Sequence, residues 1–515
     1  MSLVRSVVTI GGFTMASRLL GFLRDILIAA SLGAGLRADA FFVALQLPNL
    51  FRRLFAEGAF NAAFVPLFGE NRARGGDAGG RDFAEQALAA LLFVLVVVVG
   101  LFLAGMPYAV LVLAPGFLSQ PEKYALAVEL SRITFPYLLL ISLVSLLSGV
   151  LNSLGRFAVV AATQLLFNLC LIVAVLLGGV LAPSMAHALA MAVTVSGILQ
   201  FVWLILACRR AGYDLSLRLP RLTPPVRRLL TLALPAAVGA GATQIALFVN
   251  LVLASLLPSG AISYLFYADR LNQLPMGVIG VALGTALLPT LVREIAAGRV
   301  ERASELQNRA LELGLLLTLP ATAALICIPF TLVGVLFERG AFGPEATLAT
   351  GQALVAYAIG LPAFVMMRPL TAGFHARQDT TTPVRIALVA VGTGIAFSLV
   401  LMWPLAHVGL ALAISISAWL QAGLLGHRLL RRGHWQPDAR LRARAPRILL
   451  SCLAMVAALV LLREALAPLF GQGTAGRALA LALLVLAGIT VYGAACLLTG
   501  AARIAELRQA FGRRG

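Results

Sequence analysis

Long apolar runs separated by short polar or basic stretches organise the chain from end to end. Each run approaches or exceeds the roughly 20 residues that an α-helix needs to cross the hydrocarbon core of a bilayer. Fourteen helical spans are predicted, at 3–31, 36–68, 84–113, 124–153, 157–182, 185–208, 226–257, 260–292, 306–335, 346–376, 383–403, 407–427, 447–467 and 476–501. Several are longer than a bilayer requires and carry internal proline. Pro48, Pro136, Pro275, Pro289, Pro320 and Pro362 each remove a helix donor, so bends or local breaks are expected there. Such breaks are tolerated at membrane depth only beside protein or water, which points to an internal cavity.

Composition strengthens the reading. Hydrophobic residues make up 60% of the 515 and charged residues only 12%, against about 25% charged in soluble domains. The fold class is therefore an all-α polytopic membrane protein. The apolar stretch before Ala29-Ala30-Ser31 is too long for a cleaved signal and is interrupted by three charges, so the first helix is expected to stay.

Orientation follows from the 40 basic residues. With the N-terminus inside, 28 fall at the two ends and in the even-numbered loops, 5 in the odd-numbered loops (Arg37, Lys123, Arg339, Arg463, Arg477) and 7 deep in spans (Arg18, Arg24, Arg52, Arg53, Arg132, Arg270, Arg368). That bias places both termini in the cytoplasm. It accounts for the net charge of +19 without a nucleic-acid partner. The basic run from Arg428 to Arg447 fits the same topology, with contact to anionic lipid as the alternative.

Chemistry-bearing motifs are sparse. The cysteines at 170, 208, 327, 452 and 496 form no CxxC pair, and the five histidines show no metal-ligand spacing, so neither a metal nor a cofactor is expected. An enzyme is the weaker reading.

A weak internal repeat is informative. Ala59–Phe68 around Pro66 matches Ala282–Leu291 around Pro289 at an offset of 223, and Ser148-Gly149 matches Ala372-Gly373 at 224. Duplication of a six-helix unit is expected, giving lobes at 1–222 and 223–432, with 433–515 supplying two further helices and a cytoplasmic tail. Transporters built from parallel repeats place their substrate between the halves and expose it to each side in turn.

The buried charges indicate what such a cavity holds. A charge at bilayer depth costs at least about 2.5 kcal/mol, so it persists facing protein or a wet cavity. Ser17, Gly21 and Arg24 share one helical face, and Arg18, Phe22 and Asp25 the adjoining one. The second span adds Asp39 near its outer end and Asn49, Arg52, Arg53 and Glu57 further in, and the eighth carries Asp269 and Arg270 before Pro275. Arginine in excess suits a phosphate or diphosphate, because its planar fork donates paired hydrogen bonds and stays charged. Two of the acids have an internal alternative, with Asp25 neutralising Arg18 and Glu57 pairing with Arg53. Arg132 with Glu129 reads equally as an outer-end pair.

These residues resemble a known family. Ser17–Asp25, the Asp39 segment, Leu47–Phe60, Tyr267–Gly277 and Gly373–Pro383 are similar to the MurJ (MviN) lipid II flippases of the multidrug/oligosaccharidyl-lipid/polysaccharide exporter superfamily. The resemblance implies fourteen helices in two lobes around a central cavity, with the last two helices forming a groove for the polyprenyl tail. It implies a bacterial inner-membrane flippase of lipid II, the undecaprenyl-diphosphate-linked disaccharide-pentapeptide, with cell-wall or division proteins as possible partners. It makes Arg18, Arg24 and Arg270 the diphosphate binders, with Ser17 beside them and Asp25 holding an arginine in place. Asp39 and Arg52 become further essential charges, and Asn49, Arg53 and Glu57 an inner gate. Where some members bind sodium, this chain offers Asn250, Gly394 and Ser398 without a carboxylate, and Gln273 stands where some relatives have an acid. The membrane potential is the driving force left.

Rival readings are a superfamily exporter of another undecaprenyl-linked glycan, a cation-coupled drug antiporter and a polyprenyl-phosphate transferase. An antiporter of cationic drugs needs cavity carboxylates, and a transferase needs clustered acidic metal ligands. The arginine excess and the sparse pair Asp77/Asp82 favour neither.

Overall fold

The computed structural model describes residues 3–53 and 60–502. No strand occurs among the described residues, and each of the fourteen predicted spans is helical over most of its described length. Nine helical segments among those residues are long and apolar enough to cross a bilayer. The protein is a multi-pass, all-α membrane protein.

By packing, the chain forms two compact units, Met1–Ser263 with Arg339–Phe342, and Tyr264–Glu338 with Gly343–Gly515. The first unit holds α1 (Leu3–Leu32), α2 (Leu36–Phe51), α3 (Asn61–Ala104), α4 (Met106–Leu113), α5 (Pro121–Thr134), α6 (Tyr137–Ser153), α7 (Phe157–Ala161), α8 (Thr163–Leu181), α9 (Met185–Arg210) and α10 (Pro224–Ser255). Gly33 turns the chain between α1 and α2 at φ 70°, where a Cβ would stand 2.5 Å from the Ala341 carbonyl oxygen. Only glycine fits there, since both the backbone region and the close approach exclude a side chain. A kink at Gly75 and Gly76 (φ 61°, ψ −159°) divides α3. Around Phe64 the core is aromatic, with the rings of Phe60, Phe68 and Phe83 stacked at 5.4, 5.8 and 5.5 Å.

In the second unit lie most of α11 (Ala261–Ala296) and then α12 (Val300–Cys327), α13 (Pro329–Phe337), α14 (Pro344–His375), α15 (Thr381–Arg431), α16 (Ala439–Ala465), α17 (Ala467–Phe470) and α18 (Gly473–Thr499). A non-helical residue, Ala406 at φ 47°, splits α15 into the eleventh and twelfth predicted spans. Leu311, Leu370, Phe374, Leu425 and Trp435 are buried in one cluster at its core. The last two long helices, α16 and α18, pack on each other, and the Tyr492 hydroxyl donates to the Leu316 carbonyl at 2.7 Å.

Proline acts unevenly. Pro136 does separate α5 from α6, and Pro48 lies one turn before the helix widens to a π turn at Arg52 and Arg53. Pro275, Pro289, Pro320 and Pro362 instead remain inside continuous helices, as neighbouring elements permit in membrane proteins.

In each unit a polar side chain clasps the segment that links two long helices. In the first, the buried carboxylate of Glu85 accepts from the Ser216 backbone N–H and hydroxyl at 3.0 and 2.9 Å. In the second, the Asn308 amide donates to the Gln436 carbonyl and accepts from the Trp435 indole N–H, both at 2.8 Å. Glu85 and Asn308 are separated by the repeat offset of 223. Repeat symmetry and packing nonetheless divide the chain differently. Helix α10 lies past the boundary expected between the repeats, yet packs with the first unit.

Candidate functional site

Arg24 lies in the last third of α1 and is 9% exposed. Its Nε and Nη2 donate to Asp25 Oδ1 at 2.9 and 2.6 Å, and its Nη1 donates to Asn168 Oδ1 at 2.9 Å. The Phe167 ring lies 5.6 Å from the guanidinium carbon. A guanidinium has five N–H donors, so one remains on each terminal nitrogen. That arrangement holds the planar group still and leaves two adjacent donors for an anion.

Asn168 was not legible in the sequence and does most of the joining. It is 2% exposed on α8, and its Nδ2 donates to the Ser17 carbonyl at 3.0 Å and reaches the Ser17 hydroxyl at 3.4 Å. Its amide sits against Gly21, where a Cβ would stand 3.6 Å away. One amide thus spans two turns of α1, from Ser17 to Arg24. The predicted polar face is real, but its partner is a neutral residue on another helix. Asp25, 3% exposed, bonds Arg24 in the manner expected of an organiser. The alternative pairing of Asp25 with Arg18 is not formed: Arg18 is exposed and carries no ion pair among the described residues.

Asp39 occupies a second polar centre in the same unit. Its Oδ2 accepts from Lys123 Nζ and the Gly260 backbone N–H, both at 2.7 Å, and its Oδ1 accepts from the Ser263 backbone N–H and hydroxyl at 3.0 and 2.6 Å. Lys123 Nζ also donates to Ser259 Oγ at 3.0 Å and lies 4.3 Å from the Phe117 ring centre. Asp39 is 1% exposed and Lys123 2%. The sequence reading counts Lys123 among loop residues, and the structure corrects this: the lysine is buried as the counter-ion of Asp39. Bonds to the backbone N–H groups of residues 260 and 263 also satisfy orphan donors at the start of α11, as a capping carboxylate does.

Around the π turn, Asn49 Nδ2 donates to the Leu45 carbonyl at 2.9 Å, and Arg52 Nε donates to Asn49 Oδ1 at 3.2 Å. Asn49 and Arg53 line a small pocket with Gln46, Leu113, Gln244 and Phe248. Glu57 lies outside the described residues.

Within the second unit, Arg270 is partly exposed, with its guanidinium carbon 4.6 Å from the Phe266 ring centre. Beside it, the Gln273 amide donates to Asp269 Oδ2. Arg132 and Arg368 are exposed, and Glu129 faces His187 Nε2 at 3.2 Å rather than Arg132. Of the residues weighed for sodium, Asn250 donates to the Ala246 carbonyl at 2.8 Å and Ser398 is buried. No group of three His, Cys, Asp or Glu side chains suited to a metal occurs among the described residues.

Comparison with known proteins gives one family. The family model described as "Lipid II flippase MurJ" matches residues 28–480. A probable lipid II flippase MurJ from Rhizobium meliloti is 42% identical, covering 100% of this chain and 97% of that protein. The lipid II flippase MurJ of Burkholderia cenocepacia is 36% identical over 85% of this chain and 86% of its own length. Among solved structures, an inward closed MurJ matches with a TM-score of 0.78 at 24% identity over 98% of this chain and 100% of that one. An inward-facing multidrug transporter of the MATE family follows at a TM-score of 0.68 and 15% identity, covering 81% and 95%. At those identities the two structures speak for the fold.

Proposed function

The chain belongs to the MurJ family of lipid II flippases, and on that premise we propose that it carries lipid II from the cytoplasmic to the periplasmic leaflet of the bacterial inner membrane. Membership of that family makes it a transporter rather than an enzyme, so no covalent step is required. The lobes at 1–222 and 223–432 expose the headgroup to the two sides in turn, and 433–515 accommodates the lipid tail. Arg18, Arg24 and Arg270 hold the diphosphate with Ser17 beside them, Asp25 keeps Arg24 in place, Asp39 and Arg52 are further essential charges, and Asn49, Arg53 and Glu57 serve the inner gate. Both termini lie in the cytoplasm.

One observation carries the assignment of the headgroup site. Arg24 is buried, fixed by Asp25 and Asn168, and retains two N–H donors on adjacent nitrogens. Paired N–H groups of this kind match the oxygens of a phosphate. An inside-negative potential assists the outward step, since each negative charge crossing the full field gains about 2.3 kcal/mol per 100 mV. The ligand drives the switch only as far as it binds the two states unequally.

The test uses cells depleted of their own flippase, with lipid II measured in the outer leaflet. The unaltered chain should restore export, and Arg24→Ala or Arg270→Ala should abolish it while the protein remains inserted. Normal export by both variants would remove the arginines from the site. Failure of the unaltered chain would overturn the flippase reading itself.

A further inference from the structure

The segment between α9 and α10 is built inside out. Several of its polar side chains bond to α3. Ser216 bonds Glu85, Arg218 reaches Asp82 and Glu85 at 2.6 Å each, and Thr223 donates to Gln86 Oε1 at 2.5 Å. Further back, the Tyr213 hydroxyl donates to Asp77 at 2.7 Å and Arg81 donates to the Gly212 carbonyl at 2.6 Å. The segment is therefore held along its length by α3. Three of its four leucines face away, with Leu217, Leu219 and Leu222 72%, 79% and 78% exposed. Alternation of anchored and exposed residues through 216–219 follows the two-residue period of an extended chain.

An apolar face turned outward on a clamped backbone needs an apolar neighbour. Two observations identify it as lipid. The leucines are flanked along the chain by further exposed leucines, Leu206 on α9 and Leu230 and Leu232 on α10. The cations around them are only partly neutralised: Arg209, Arg218 and Arg228 have carboxylate partners, whereas Arg210, Arg221 and Arg227 have none among the described residues. Leucine beside unpaired arginine matches the acyl and phosphate layers of an anionic leaflet.

We propose that residues 217–222 lie in the headgroup and upper acyl layer of the bilayer, with Leu217, Leu219 and Leu222 in the acyl region and Arg221 on lipid phosphate. The segment then anchors the middle of α3, just after its kink, to the membrane surface, independently of the headgroup site. This surface belongs to the membrane rather than to a protein partner.

The test places an environment-sensitive fluorophore at Leu219→Cys in the full-length chain, with the five native cysteines replaced by serine, in vesicles of phosphatidylcholine and phosphatidylglycerol. A label at Arg74→Cys serves as the water-exposed control. The label at 219 should be quenched by lipid carrying a spin label near the top of its acyl chain. Iodide in the water should quench it at least about three-fold less than the control. Raising phosphatidylglycerol from none to about a third should increase the lipid quenching, and Arg221→Gln should remove that increase. Iodide quenching equal to the control, with no quenching from lipid, would place the segment in water and overturn the proposal. Independence from phosphatidylglycerol in the unaltered protein would overturn the role of Arg221. Retained lipid II export in Arg221→Gln is expected, because this surface and the flippase reading stand apart.

Discussion

Replacing Asp39 with asparagine would show how far the first unit depends on one buried charge. The two carboxylate oxygens take four hydrogen bonds, two of them from Lys123 and the Gly260 N–H at the same oxygen. Asparagine keeps the shape and one acceptor, so the change deletes the charge and leaves Lys123 buried without it. Breaking a buried pair from one side costs about 3–5 kcal/mol, while exposed pairs contribute about 0–1 kcal/mol. Exposures of 1% and 2% select the larger figure. At about 2–4 °C per kcal/mol for a unit of this size, Tm should fall by about 6–20 °C. The compound variant Asp39→Asn/Lys123→Met removes the stranded ammonium and should regain most of that loss, since neutral replacement of a whole buried pair is often harmless. Unfolding of the three purified proteins in detergent, followed by tryptophan fluorescence at one scan rate, provides the measurement. A fall of less than about 2 °C in the single variant, or no recovery in the compound one, would refute the account.

Asn168→Leu should weaken lipid II binding about ten-fold, the effect of losing roughly 1.5 kcal/mol from a charge-assisted hydrogen bond. In an Arg24→Ala background the same change should do little, and additive losses in such a cycle would show that Asn168 acts on folding instead. Glu312 is 6% exposed and is bonded by Arg309, Arg440 and Arg444, so Glu312→Gln should lower stability by about 3 kcal/mol, visible as a drop in Tm. The Thr382 backbone N–H and hydroxyl, with Arg432, hold the Asp379 carboxyl well below its ordinary range. Its stabilisation should be complete above the unfolded value of about 4 and fade as pH falls through the lower folded value. The Tm gap between the unaltered protein and Asp379→Asn should therefore narrow between pH 5 and about pH 2; a constant gap would contradict the pairing.

What the sequence disclosed depended on how much each residue stood out from its surroundings. Arg24 and Asp25 were conspicuous because ionic groups in an apolar run violate the cost of insertion. Asn168 broke no such rule: a neutral amide in Thr163–Leu181 is cheap, and its partners lie 144 and 151 residues earlier. Lys123 was read by topology alone, and a count of basic residues does not distinguish a lysine reaching into water from one drawn inward by Asp39. The signal available was Asp39 itself, a carboxylate early in α2 with no basic neighbour deep enough to meet it. Helix boundaries followed hydropathy well. The breaks followed proline only in part: the helix is interrupted at Pro136, but backbone freed by Pro275 or Pro362 stays helical, while glycines 75 and 76 bend α3 outside the apolar run.

The bond between Arg24 and Asp25 also bears on leakage. A bare guanidinium in a membrane passage would attract any small anion, chloride included, and an unloaded carrier cycling with chloride would dissipate the gradients of the cell. Asp25 occupies one edge of the fork, so under the proposed assignment a monovalent ion would meet a site already balanced in charge. A diphosphate brings more charge and more acceptors, and can share or displace that carboxylate. If Arg24 holds the diphosphate as proposed, loading would be an exchange of anions, with Asp25 setting the threshold that an incoming one has to exceed.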